Sequence, residues 1–227
     1  MQLSRVATAC FSALVLASCA TTAEQMNQRA AALPEATRAY IIGTYAVDCT
    51  PRRGQCEQAF NSISTQYRGT DDKDLRGSFT SVVGKMFGGD SVYDFDSQEL
   101  GEKGFYFCMA LPPGTYVVYT YGFTNFAGGG SGYSLPSESY FKLPFSVSAG
   151  EVINLGKLKV TSTKGRSLIG LPVRGPGVLL LSGTSRDAAE AAMTKCPESV
   201  RSKPIRDALL SAAYTGDSAF VRVEPPR

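Results

Sequence analysis

The chain has no histidine among its 227 residues, and its six cysteines include no Cys-x-x-Cys pair. Histidine is the most common general base in enzymes and a frequent metal ligand, so its absence removes the usual form of both kinds of site. No serine, threonine or cysteine lies in a recognisable nucleophile motif either. The sequence therefore predicts that the protein is not an enzyme and has no catalytic residue, no metal site and no cofactor.

Long runs of charge are also missing. The formal net charge is +3, and acidic and basic residues are mixed along the chain. A nucleic-acid-binding surface needs clustered basic residues, so no nucleic acid partner is predicted. Asp94 and Asp96 are two residues apart in an extended segment, which favours the exposed face of a strand over the carboxylate pair of a glycosidase.

The apolar run near the N-terminus, Val6–Ala17, is too short to cross a bilayer as a permanent span. It follows the basic residue Arg5, an arrangement typical of a secretory signal peptide. The run ends in Leu16-Ala17-Ser18-Cys19, which resembles the lipobox of bacterial lipoproteins. The resemblance implies that residues 1–18 are a signal peptide, cleaved before Cys19.

The same resemblance makes Cys19 the lipid attachment site and the membrane a partner. A thiolate can take a diacylglyceryl group as a thioether, and two or three acyl chains hold a protein on a bilayer almost permanently. Ala20 is not acidic, which by resemblance is compatible with the outer membrane of a Gram-negative cell. The body is expected on the periplasmic side, and the cell exterior is the alternative. Residues 19–38 are interpreted as a lipidated tether containing at most a short helical turn.

Four cysteines would remain after cleavage and lipidation: Cys49, Cys56, Cys108 and Cys196. An exported protein meets oxidising conditions, so two disulfides are expected, although four cysteines allow three connectivities. Cys49 and Cys56 flank a turn-rich loop, which favours a local bridge between them. Cys108 would then pair with Cys196, provided that the C-terminal helix carrying Cys196 covers the strand face carrying Cys108.

Residues 39–227 are predicted to form a single mainly β domain. The segment from Phe105 to Val160 contains four strands, interpreted as two hairpins, the first turning at Leu111-Pro112-Pro113-Gly114. Past Val160 the apolar period changes from two to about 3.6. It predicts two C-terminal α-helices, near 185–196 and 204–214, that cover one face of the sheet.

Two turn sequences carry a second resemblance. Leu111–Tyr116 and Phe145–Glu151 resemble turns of transthyretin-like and carboxypeptidase-regulatory-like modules, which also occur in uncharacterised bacterial lipoproteins. The resemblance implies an antiparallel β-sandwich of transthyretin-like or immunoglobulin-like kind. It bears on the fold and implies no activity.

The best sequence candidate for a partner surface is the glycine-rich crossing that includes Gly128–Tyr133. Its aromatic residues are Tyr121, Phe123, Phe126 and Tyr133. Exposed aromatics would favour a partner site, whereas burial would make these side chains part of the core. The leading hypothesis is a structural or protein-interaction lipoprotein of the envelope. The alternative is a module that binds glycan, peptidoglycan or lipid, and an enzyme of unknown reaction comes last.

Overall fold

A computed structural model describes residues 22–52, 55–57, 60, 62–81, 93–124, 132–134, 141–161, 163–170, 172–175 and 177–225. The predicted signal peptide, Cys19 and Phe126 lie outside these residues, and so do the side chains of Cys56 and Tyr133. Most of the described chain forms short strands, so the predicted mainly β class is confirmed.

The elements are numbered here in chain order. The helices are α1 (Thr22–Ala31), α2 (Arg186–Thr194) and α3 (Leu210–Ala213). The first eight strands are β1 (Ala39–Asp48), β2 (Thr50–Arg52), β3 (Gln55–Glu57), β4 (Ser62–Gly69), β5 (Arg76–Thr80), β6 (Phe95–Ser97), β7 (Glu102–Leu111) and β8 (Gly114–Thr124). The others are β9 (Gly132–Ser134), β10 (Leu143–Val147), β11 (Val152–Val160), β12 (Thr163–Arg166), β13 (Pro172–Gly175), β14 (Leu179–Ser182), β15 (Ile205–Asp207) and β16 (Val221–Val223).

Two sheets enclose the main core. The larger has the order β16-β14-β11-β1-β7-β6 with β15 beside β11, and the smaller has the order β10-β8-β4-β5 with β9 beside β8. The buried side chains between them come from both sheets and include Ile41, Tyr45, Tyr67, Val118 and Leu158. The arrangement is sandwich-like, as predicted, but the larger sheet is mixed because β1 and β11 run parallel.

The two predicted hairpins are wrong, although the strands and turns were placed correctly. β7 pairs with β1 in the larger sheet, whereas β8 pairs with β4 and β10 in the smaller one. Likewise β10 belongs to the smaller sheet and β11 to the larger. Each turn therefore crosses the core from one sheet to the other. Strands with two apolar faces need cover on both sides, and this crossing gives each strand a face in the shared core.

The open sides of the sandwich are closed by helices. α1 packs against β5 and β7 with Met26 and Ala30 buried, and an ion pair joins Arg29 to Asp72 at 2.5 Å. Within the segment predicted as a tether, residues 22–31 thus form a helix that belongs to the folded body. Its buried methionine and alanine contribute apolar area that a solvated linker would expose.

At the opposite side, α3 contacts β10, β11 and β14, and its Leu210 lies in the core. The helix predicted at 204–214 is largely wrong, since Ile205–Asp207 instead forms β15 beside Val152–Asn154 of β11. That part of β11 lacks β14 as a neighbour, because β14 pairs only with Lys157–Val160. An unpaired strand edge attracts another strand, and here the available edge overrides the helical period.

The outer face of the larger sheet carries a second apolar cluster beneath α2. It comprises Tyr40, Ile42, Val152, Ala192, Met193, Cys196 and Val200, with Tyr106, Cys108 and Ala110 at its margin. Ser185 caps α2 by accepting a hydrogen bond from the Ala188 amide at 3.2 Å, as its sequence indicates. A disulfide joins Cys108 to Cys196, the predicted pair. Cys49 is also disulfide-bonded, and its pairing with Cys56 stays a prediction.

Candidate functional site

A cavity of ≈ 540 Å³ lies on the outer face of the larger sheet, beside the N-terminal end of α2. Its volume lies within the usual range for sites that bind small molecules, roughly 300–1,000 Å³. The lining residues are Thr44, Phe95, Ser97, Leu100, Glu102, Tyr106, Lys157, Ser182, Gly183, Thr184, Ser185, Ala188, Glu224 and Pro225. They come from strands that are far apart in sequence but adjacent in the sheet.

The floor of the cavity is one row of residues across four strands. Ser182 of β14 lies opposite Lys157 of β11, Lys157 lies opposite Thr44 of β1, and Thr44 lies opposite Tyr106 of β7. Strand register places such partners side by side on the same face. The row therefore places two hydroxyls, an ammonium and a phenol ring together at one level.

A bulge at Gly156 gives Lys157 its place in this row. Leu155 and Leu158 both face the core, although strict alternation would place them on opposite faces. The register between β1 and β11 shifts here, and Gly156 has φ +85°. A Cβ atom on Gly156 would lie 2.6 Å from the Ser182 carbonyl oxygen, so only glycine fits without movement.

An ion-pair network borders the floor. Glu102, which is 3 % exposed, pairs with Lys157, and its Oε2 lies 3.5 Å from the Lys159 ammonium. The same ammonium lies 3.0 Å from Oε1 of Glu224. Burial and the carboxylates of Glu102 and Glu224 raise the pKa of the nearby Asp48 carboxyl, against the attraction of Lys159. Both ammonium groups of this network therefore lie beside carboxylates of the protein itself.

The walls combine apolar and polar groups. The rings of Phe95 and Tyr106 pack with their centroids 5.5 Å apart. Asp94 links the two sides of this region, because one carboxylate oxygen accepts from the Tyr106 amide at 2.9 Å and the other lies 2.5 Å from the ammonium of Lys195. Asp94, next to Phe95 in the chain, thus contacts both β7 and Lys195, the residue that follows α2.

Two hydroxyl groups in the cavity are buried without a hydrogen-bond partner in the described part of the chain. They are Oγ1 of Thr44, a residue that is 4 % exposed, and Oγ1 of Thr184. A buried hydroxyl without a partner costs about 1–3 kcal/mol. Both residues line the cavity, so a hydrogen-bonding ligand could satisfy their hydroxyls once a small movement of the lining exposes them.

The predicted aromatic partner surface is not exposed at the positions that the structure describes. Tyr121 and Phe123 are 0 % and 1 % exposed and belong to the core, where Tyr121 donates to the Gly177 carbonyl oxygen at 2.8 Å. A bulge between Val118 and Thr120 turns Tyr121 toward the core, whereas strict alternation along β8 would place it on the face opposite Val118. Phe126 and the side chain of Tyr133 lie outside the described residues, and so does Gly128–Gly130.

Sequence reasoning did not find the cavity residues. The alternation of Lys157 and Lys159 with Leu158 and Val160 does indicate an outer polar face, and Gly156 beside it is typical of a bulge. The pairing of Lys157 with Glu102 has no local sequence signal, since 55 residues separate the two. Only strand order brings them together.

Within the described part of the chain, no group of three or more histidine, cysteine or acidic side chains is placed to hold a metal ion. The helices described there are also too short or too polar to span a bilayer.

The fold and the site define a sandwich-like β protein with a ligand-sized cavity on the outer face of its larger sheet. Comparison of the chain with known protein families, with curated proteins and with solved structures finds no match.

Proposed function

We propose that the protein is a lipid-anchored protein of the bacterial envelope that acts by binding, with the outer-face cavity as its ligand site. The anchor would be a lipid on Cys19, supported by Leu16-Ala17-Ser18-Cys19 after a short apolar run. The non-acidic residue Ala20 after the cysteine supports localisation to the outer membrane. The observation that carries the binding role is the cavity itself, with its partnerless Thr44 and Thr184 hydroxyls.

The chemistry of the lining favours an uncharged, hydroxyl-rich ligand such as a short glycan. The charged groups Lys157 and Glu102 are already paired, so an ionic ligand would have to break a partly buried ion pair, which is unfavourable. A sugar can instead place a C–H face against the Tyr106 ring and exchange hydrogen bonds with the threonine and serine hydroxyls. The role is binding rather than catalysis, because no histidine is present to act as a general base.

The fold type belongs to the same proposal. The turns at Leu111–Tyr116 and Phe145–Glu151 support a relationship to transthyretin-like sandwiches. The C-terminal helices of this chain would then be an addition to that fold. In this chain Tyr116 donates from its hydroxyl to the Pro112 carbonyl oxygen at 2.6 Å, which stabilises the first turn. A measured structure with the same strand order as that family would test the relationship.

The binding role is tested with the lipidated full chain in detergent and with N,N′-diacetylchitobiose as the probe in calorimetric titration. Thr44→Val keeps the shape of the side chain but removes its hydroxyl, and we expect an affinity about fivefold to tenfold lower. Thr124→Val, an exposed position on the smaller sheet, is the matched control. Unchanged affinity in Thr44→Val would reject the cavity as the site.

The anchor is tested separately. Cys19→Ser should move the protein from the membrane to the soluble periplasmic fraction while its saccharide affinity stays the same. Continued membrane fractionation would contradict the lipid attachment without affecting the cavity.

The second candidate is a structural or protein-interaction module. The mutual pairing of Lys159 with Glu102 and Glu224 favours it, because these charged groups have counter-ions within the protein and need none from a ligand. Failure of the unaltered protein to bind any member of a saccharide panel would leave this candidate as the preferred one.

A further inference from the structure

The hairpin formed by β12 and β13 is a two-stranded sheet of its own, paired from Thr163–Gly175 to Arg166–Pro172. Leu168 and Ile169 lie in the turn at its tip, and they are 108 % and 81 % exposed. The other large apolar side chains that are exposed in the described part of the chain are all less than half exposed. Two adjacent aliphatic side chains therefore project into solvent at one point.

The tip is an ordered turn rather than a frayed end. The Gly170 amide donates to the Ser167 carbonyl oxygen at 2.9 Å, and Gly170 has φ +78°. Turn centres usually carry glycine, proline, asparagine, aspartate or serine, because these residues are solvated or fit the backbone. Leucine and isoleucine at these positions forgo burial of about 1.5–3 kcal/mol each, which contact with a second apolar surface would recover.

The strands behind the tip carry only positive charge. Lys164, Arg166 and Arg174 are their charged residues, and no acidic residue occurs between Glu151 and Asp187. The register places Lys164 directly opposite Arg174. All charged residues of the hairpin are basic, so an anionic surface would be a favourable neighbour for it.

The position of α1 brings the body close to any bilayer that holds Cys19, and this step rests on the proposed lipid attachment. α1 begins at Thr22 and packs on the sandwich, so Ala20 and Thr21 alone separate it from Cys19. Three residues can span at most about 10 Å. Part of the folded body must then face the headgroups at short range.

We propose that the β12–β13 hairpin is a second membrane contact, which docks on a bilayer containing anionic phospholipid. Leu168 and Ile169 enter the interface between headgroups and acyl chains, and the basic residues of the two strands bind the lipid phosphates. Short apolar insertion combined with basic residues gives binding that depends on anionic lipid and on salt. The hairpin would thereby fix how the body, and the mouth of its cavity, are oriented on the membrane.

The chain contains no tryptophan, so one introduced residue gives an unambiguous fluorescence signal. The lipidated full chain carrying Ile169→Trp is reconstituted in phosphatidylcholine vesicles with or without phosphatidylglycerol. The matched control is Ile205→Trp, which replaces an exposed isoleucine beside Val152, at the other end of β11 from the hairpin. The measurements are the emission maximum and the quenching by lipids brominated on their acyl chains.

We expect Ile169→Trp to emit at shorter wavelength and to be quenched severalfold more strongly when phosphatidylglycerol is present, with the effect reduced at high salt. Ile205→Trp should keep its solvent-exposed emission in both vesicles. Adding Arg166→Gln and Arg174→Gln to Ile169→Trp should lower the quenching to the level of the control, which separates charge-dependent docking from insertion driven by the tryptophan alone.

Emission from Ile169→Trp that stays solvent-exposed in both vesicles would overturn the proposal and favour a protein that covers the tip. Equal quenching with and without phosphatidylglycerol would overturn its electrostatic part. If Cys19 proves to carry no lipid, the same fluorescence change on mixing the protein with vesicles would still support the hairpin contact, so the two proposals fail independently.

Discussion

Cys108 on β7 and Cys196 just after α2 form a disulfide with a Cα–Cα distance of 5.2 Å, across 88 residues of sequence. The bond ties the helix over the outer face of the larger sheet, where Cys196 is 1 % exposed. α2 begins at the wall of the cavity, since Ser185 and Ala188 line it. One covalent link therefore stabilises the second apolar cluster and holds a wall of the candidate site.

Removal of this disulfide should lower the free energy of unfolding. The chain-entropy estimate for a loop of this length is about 4.6 kcal/mol, and measured values are usually smaller, so we expect Cys108→Ala/Cys196→Ala to lose about 2–4 kcal/mol. Urea denaturation of the double variant and of the unaltered chain measures the difference. A change below about 1 kcal/mol would show that packing alone holds α2 in place.

The ion-pair network should behave as a coupled unit. Lys159→Met leaves the buried Glu102 carboxylate without one of its partners, which should cost about 3–5 kcal/mol of stability. Adding Glu102→Gln to Lys159→Met removes the buried negative charge, so the double variant should be more stable than the sum of the single effects predicts. Denaturation of the two single variants and of the double variant measures this difference. Stability changes of the single variants that add up to that of the double variant within about 0.5 kcal/mol would contradict the coupling.

Phe123 should behave as a core residue and not as a partner contact. Its ring packs against Phe60 with centroids 4.9 Å apart, so Phe123→Ala should destabilise the protein by about 3–5 kcal/mol. Leu168→Ala, at the exposed hairpin tip, is the control and should change stability by less than about 0.5 kcal/mol. Thermal unfolding of both variants gives the comparison, and similar small shifts in both would place Phe123 on the surface instead.

The turn between β10 and β11 should make a small contribution to stability that depends on acid pH. The Arg206 guanidinium and the Ser148 amide lower the pKa of Glu151 to about 2. Because the folded-state pKa is depressed, this stabilisation is full above about pH 4.5 and is lost as the pH falls toward 2. The pair is partly exposed, so solvent screening limits it to about 1 kcal/mol or less.

Glu151→Gln should therefore be less stable than the unaltered chain at pH 6, and this difference should vanish near pH 2. Denaturation of the two proteins across this range is the measurement. Glu190→Gln, in an exposed ion pair with Arg186, is the control that should show almost no effect. A difference that grows as the pH falls would contradict the assigned sign.

Local sequence signals located most of the strands and the cap of α2. Val152–Val160 matches β11, and Ser185, the first residue of the helix predicted near 185–196, caps α2, since alternation and side-chain capping act between near neighbours. The Pro112-Pro113-Gly114 turn was also placed correctly. The sheet that each strand joins was not, because the strands that hydrogen-bond to it are distant in sequence and a local pattern does not identify them.

The sequence by itself determined that this is a mainly β chain with strands apolar on two faces, a capped C-terminal helix, and cysteines placed so that Cys108 can meet Cys196. Tertiary structure decided the crossings between sheets, the strand at Ile205–Asp207 and the inward turn of Tyr121. It also determined the cavity, because strand order brings Tyr106 and Ser182 into one row with residues of β1 and β11. The physical reason is that strand pairing depends on which edges are free after the chain has packed, and that is a property of the whole fold.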